Sequence, residues 1–272
     1  MNLKSKRIAF IGAGNMAEAL IRGLIAAEVV QSSQLIATDI RPDRLEFFKS
    51  TFGVRVTDDN ARAVANADIV LLAVKPQPMS EVLAGFKSRI TNHHLVITIA
   101  AGITTSRIER ELGSSVRVVR GMPNTPALVG AGAAALCKGA HATDDDLATA
   151  EAILGAVGVT VRVEEKFMDA VTALSGSGPA YLFLVTEAMI KAGAAAGLPE
   201  DVAKRLAVQT FYGSAKLLVE SGEPPESLRC KVTSPGGTTE TALKVMDQRK
   251  LMDIFVEAIE AAARRGKELS GS

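Results

Sequence analysis

Tryptophan is absent from this 272-residue chain, and tyrosine occurs only twice. So few large flat rings leave little with which to stack nucleic-acid bases. The 31 basic and 30 acidic residues nearly cancel, to a net charge of +1, so there is no field to hold a polyanion. Neither nucleic acid nor an anionic membrane is an expected partner. Cysteine is as scarce. Cys137 and Cys230 lie far apart and without ligand spacing, which excludes a disulfide framework and a zinc site; no metal is expected. The apolar runs break well short of the ~18 residues that a membrane span needs. The opening MNLKSKRIAF holds no apolar signal segment. The expected setting is a reducing one, the cytoplasm. Histidine is limited to His93, His94 and His141. The first two precede a strand and the third sits in a polar turn. None is placed as the general base of an alcohol dehydrogenase.

What the chain does have is apolar content, 47% of its residues, enough for a sizeable core, and its length permits one large domain or two of moderate size. Its first run, Ile8–Ile11, is long enough for one buried strand. Gly12-Ala13-Gly14 follows at once. Met16, Ala19, Leu20, Gly23, Leu24 and Ala27 then recur at helical spacing. Strand, glycine turn and helix are the context in which G-x-G-x-x-[GA] signals dinucleotide binding. Gly12 would make the tight turn and Gly14 would admit a pyrophosphate. Ala17 would keep helix and strand close. Ala13, Asn15 and Met16 complete this cofactor loop. The alternative is a glycine turn in an ordinary βα unit.

Asp39 closes the second strand, 35–38, where an acidic residue can bind the ribose 2′-hydroxyl. Arg41 and Arg44 follow and could instead meet a 2′-phosphate, so the two signals conflict. A turn aspartate before proline is an equal alternative. Short elements follow at 54–56 and 61–67, the latter with Asp58, Asp59 and Asn60 as capping candidates. The continuous run 69–74 reads as a central parallel strand covered on both faces. It ends in Lys75-Pro76, where Lys75 either faces a cofactor or is solvated. Residues 95–101 read as another strand, ending in Ala100-Ala101-Gly102, small enough to admit a flat ring. A helix at 104–112, strands at 116–119, 132–137 and 160–163, and a helix at 144–157 continue the alternation. The stiff Met122-Pro123-Asn124-Thr125-Pro126 loop lies between the first two of these strands.

Residues 1–163 therefore read as a doubly wound, Rossmann-type parallel sheet, α/β in class. Residues 164–272 show no strand pattern and read as an all-α domain of five or six helices. Its helix 179–195 is apolar on nearly every face, which predicts burial all round and so a partner subunit. Two glycine-rich turns lie in this half. Ser175-Gly176-Ser177-Gly178-Pro179 is the first. The second, Ser234-Pro235-Gly236-Gly237-Thr238-Thr239, precedes a helix. Its N–H groups and hydroxyls suit either a small carboxylate or a plain helix cap with Glu240. A hydride reaction without a strong base points to a substrate that needs none, such as an imine.

These stretches, in this order, resemble one family. Val74-Lys75-Pro76, Ala100-Ala101-Gly102, the Met122–Pro126 loop, the Ser175–Tyr181 turn and the Ser234–Thr239 turn are all similar to those of Δ1-pyrroline-5-carboxylate reductases, over about residues 7–269. The resemblance implies NAD(P)H-dependent reduction of a small cyclic imine to L-proline. It implies cofactor contacts at Gly12–Ala17, Asn60, Ala73, Val74, Lys75, Pro76, Ala100, Ala101 and Gly102. It places the substrate carboxylate on Ser234, Gly236, Gly237, Thr238 and Thr239, with the Thr239 hydroxyl as the catalytic group beside the ring nitrogen. Glu165 would balance the iminium charge. It further implies a homodimer through the helical domain, with larger rings assembled from it. The family favours NADPH. Asp39 departs from that preference, which leaves NADH open. β-Hydroxyacid dehydrogenases share the outline, but their helical lysine has no close counterpart: the first lysine after Gly178 is Lys191.

Overall fold

The computed structural model describes residues 3–113 and 115–270. Eight strands form one sheet: β1 (Ile8–Ile11), β2 (Leu35–Thr38), β3 (Arg55–Thr57), β4 (Ile69–Leu72), β5 (Leu95–Thr98), β6 (Arg117–Met122), β7 (Gly132–Lys138) and β8 (Gly158–Arg162). Their order is β3-β2-β1-β4-β5-β6-β7-β8. The first six run parallel, and the chain reverses direction across the sheet between β1 and β4. Helices α1 (Asn15–Ala26), α2 (Pro42–Phe52), α3 (Asn60–Val64), α4 (Met79–Phe86) and α5 (Thr105–Leu112) connect them. The strands are apolar because both faces are covered. Ile8 and Phe10 of β1 join one core cluster, while Ala9 and Ile11 join the other.

The expected all-parallel order fails at one edge. β7 runs antiparallel to β6, and β8 follows β7 in parallel. The β6–β7 connection, residues 123–131, holds only a short 3-10 turn. A parallel return needs a crossover of about a dozen residues or more. The β7–β8 connection carries α6 (Asp144–Leu154) and can cross over. Local boundaries also shift. β5 stops at Thr98, so Ala100-Ala101-Gly102 belongs to the turn beyond it. The helix α4 carried no sequence expectation. Of the three capping candidates, Asp59 is the cap: its Oδ1 accepts from the Arg62 N–H at 3.0 Å.

By internal contact the chain forms two compact units, Met1–Ser177 with Ala261–Ser272, and Gly178–Glu260. The division differs from the 163/164 boundary expected where the strands end. The segment after β8, including α7 (Met168–Val171), stays with the sheet because Met168 is buried against Ala135 and Cys137. The second unit is all helix: α8 (Gly178–Ala195), α9 (Glu200–Ser221), α10 (Pro225–Lys231), α11 (Thr238–Gln248) and the first half of α12 (Leu251–Ser270). Gly197, at φ 101°, ends the first of these, and Pro199 begins the next. No residue of α8 is buried within the chain. Phe183 and Leu184 are 64% and 65% exposed. The expected all-round burial of this helix is not met by the chain alone. Among the described residues no helix is long and apolar enough to cross a membrane.

Candidate cofactor cleft and carboxylate turn

The carboxyl ends of β1, β2 and β4 open into a cleft of about 530 Å³. It lies where doubly wound sheets bind ligands, beside the point at which strand order reverses. Gly12, Gly14, Asp39, Arg41, Asn60, Ala73, Val74 and Lys75 line it. The two glycines serve different purposes. Gly12 sits at φ 98°, and a Cβ there would lie 2.9 Å from the Ala73 carbonyl oxygen. Gly14 has an ordinary φ of −79° as the N-cap of α1, and a Cβ there would meet nothing within 4 Å. The space in front of Gly14 is therefore free at the positive end of α1, which suits a pyrophosphate. Ala17 is fully buried, as close helix–strand contact requires.

The corner beyond β2 is more committed than the sequence suggests. Asp39 accepts from the Ala13 N–H at 2.9 Å and from the Arg41 N–H and Nε at 3.0 and 3.2 Å. Burial raises the Asp39 pKa, but the Arg41 side chain and the two backbone N–H groups outweigh it and hold it below its ordinary value. Arg44 does not reach toward a 2′-phosphate. Its Nε donates to the Ala13 carbonyl at 2.8 Å and its Nη2 to Glu18 at 2.9 Å. Asn60 accepts from the Thr38 hydroxyl at 2.6 Å. Thr38, Ile40, Asp58, Gln77, Pro78 and Val82 also line the cleft, without having been expected there. Ile40 is 93% exposed, and its place between Asp39 and Arg41, an apolar residue in a polar turn, was the signal that could have found it.

The remaining cofactor candidates border this cleft or the turns beside it without lining it. Asn15 and Met16 open α1, and Met16 packs on the core. Pro76 makes the turn before α4. Ala100 is buried in the core and Ala101 lies beside it. Gly102, at φ 71°, backs onto Leu269. Glu165 is bonded on both oxygens, to the Thr105 N–H at 2.8 Å and the Thr105 hydroxyl at 2.6 Å. Arg120 joins it at 3.3 Å from a buried position. Glu165, expected to balance an iminium charge, is thus already paired with a cation. His94 is buried and held by Thr91 and the Val64 carbonyl, away from the carboxyl ends of the strands. Burial pushes the Cys137 thiol up to about 12, so it is not a nucleophile.

In the second unit the Ser234–Thr239 turn leads into α11. Glu240 caps it: its Oε2 accepts from the Gly236 N–H at 2.7 Å. Gly237 donates to the Ser234 carbonyl at 3.0 Å. Two of the four N–H groups expected in a carboxylate seat are therefore used within the chain. Thr238 and Thr239 open α11, and first-turn N–H groups have no partner in their own helix.

The sequence is 43% identical to the pyrroline-5-carboxylate reductase of Methanosarcina acetivorans, over 98% of this chain and 99% of that protein. The chain belongs to the pyrroline-5-carboxylate reductase family. The fold agrees. A pyrroline-5-carboxylate reductase structure from Coxiella burnetii superposes with a TM-score of 0.93 at 42% identity, covering 98% of this chain and 99% of that one. A Plasmodium falciparum pyrroline carboxylate reductase, solved with NADP bound, superposes at 0.87 and 30% identity, covering 98% and 99%. Residues 165–269 match the family described as pyrroline-5-carboxylate reductase dimerisation. Residues 7–102 match NADP oxidoreductase, coenzyme F420-dependent.

Proposed function

We infer that this protein reduces Δ1-pyrroline-5-carboxylate to L-proline with NADPH, the last step of proline biosynthesis. Full-length identity of 43% to a reductase of that name carries the reading, and the cleft at β1, β2 and β4 supports it. The bound coenzyme supplies a hydride to the imine carbon. The other tasks fall to the chain. The glycine loop and the α1 N-terminus hold the pyrophosphate. Arg41 meets the 2′-phosphate, and its pairing with Asp39 leaves NADH usable as well. The N–H groups of Thr238 and Thr239 take the substrate carboxylate, with Ser234, Gly236 and Gly237 shaping the turn. The Thr239 hydroxyl orients the ring nitrogen. That nitrogen arrives protonated, so hydride addition completes the amine and no strong base is needed. Glu165 acts by holding Thr105, and with it the end of the Ala100-Ala101-Gly102 loop.

The exposed apolar side chains of α8 are the proposed face of a homodimer, from which larger rings are assembled. The cytoplasm is the proposed location. The test is direct: purified protein, NADPH and pyrroline-5-carboxylate, followed by absorbance of the reduced coenzyme. Oxidation matched by L-proline formation is expected. Its absence with both NADPH and NADH ends the reading.

A further inference from the structure

We propose that Arg44 is a positioning residue of the coenzyme site, one that aims the Gly14 N–H at the pyrophosphate by holding the back of the glycine loop. The inference rests on the coenzyme site proposed above and not on the imine chemistry. Ala13 is gripped from both sides. Its N–H goes to Asp39 Oδ2 at 2.9 Å, and its carbonyl takes Arg44 Nε at 2.8 Å. That carbonyl and the Gly14 N–H belong to one planar peptide unit and point in opposite directions. Fixing the carbonyl therefore fixes where the N–H points. Gly14 lines the cleft, and the space before it is open.

Arg44 is itself held rigidly. Its Nη2 donates to Glu18 of α1 at 2.9 Å, and its guanidinium lies about 5 Å over the rings of Phe47 and Phe48. The fork geometry lets one side chain join the loop carbonyl and the helix behind it, which a lysine ammonium cannot do with the same fit. Arg44 thus sits behind the loop, on the side away from the ligand.

The experiment is titration of NADPH and of NADH into wild type, Arg44→Ala, Arg44→Lys, Glu18→Gln and Arg41→Ala, read by the fluorescence of the reduced coenzyme. Thermal unfolding is recorded alongside. Arg44→Ala is expected to raise both dissociation constants by about tenfold, the size of one lost charge-assisted hydrogen bond. The NADPH-to-NADH ratio should stay as in wild type. Arg44→Lys should fall between. Glu18→Gln keeps the bond to Ala13 and should bind within about twofold of wild type, and this comparison stands even if Arg44→Ala does not fold. Arg41→Ala should weaken NADPH selectively. The proposal is overturned by unchanged binding in Arg44→Ala, or by Glu18→Gln losing as much as Arg44→Ala. A loss confined to NADPH also overturns it, since that makes Arg44 a 2′-phosphate ligand. Wild type that binds coenzyme but leaves the imine unreduced defeats the functional reading and spares this one.

Discussion

The backbone N–H of Ala13 donates to the Asp39 carboxylate, 26 residues further on, at 2.9 Å. The glycine loop and the ribose corner are therefore one structure. Asp39 does two things there: it accepts from the loop, and it sets a negative charge beside Arg41. Asp39→Asn separates them, because the amide oxygen still accepts while the charge is lost. We expect the kcat/KM ratio of NADPH to NADH to rise about tenfold, the effect of removing one charge about 4 Å from a phosphate. An unchanged ratio would place the Asp39 side chain out of reach of the 2′ position.

The same group sets a pH dependence. The folded pKa of Asp39 lies below its ordinary 3.8. Its contribution is complete above that unfolded value and fades as pH falls through the folded one. Thermal stability of the wild type should hold down to about pH 4 and lose this contribution beneath it, while Asp39→Asn should lack this limb. Thermal unfolding recorded across that range reads the difference.

Gly12 and Gly14 should fail in different ways. Gly12→Ala forces a side chain into φ 98° and against Ala73, at a cost of about 1–3 kcal/mol. Its melting temperature should drop. Gly14→Val has no clash, so stability should be kept while the new side chain stands where the pyrophosphate goes. Differential scanning calorimetry with coenzyme titration separates the two cases.

Glu165→Ala leaves Arg120 buried with Asp169, at 3.8 Å, as its remaining counter-charge among the described residues. Breaking such a pair costs about 3–5 kcal/mol. The melting temperature should fall by roughly 5–10 °C. Glu165→Gln, which can still accept from Thr105, should lose less.

Thr239→Ala should lower kcat and leave NADPH affinity intact, and Thr239→Ser should restore much of the rate. Full turnover in the alanine variant would remove this hydroxyl from the chemistry.

Much of this protein was fixed along the chain. The glycine turn, the buried strands and the helical second half are local patterns, and the apolar run or helical stripe behind each one has a period that identifies it. What distance along the chain hides, only the fold decided. The reversal of β7 follows from a loop too short to cross over. The engagement of Glu165 joins residues 60 apart, and Arg44 meets Ala13 across 31. Charged side chains in a sequence look free because their partners lie on other elements. Packing brings those partners together, and whether an arginine faces a ligand or braces the loop behind it is settled only then.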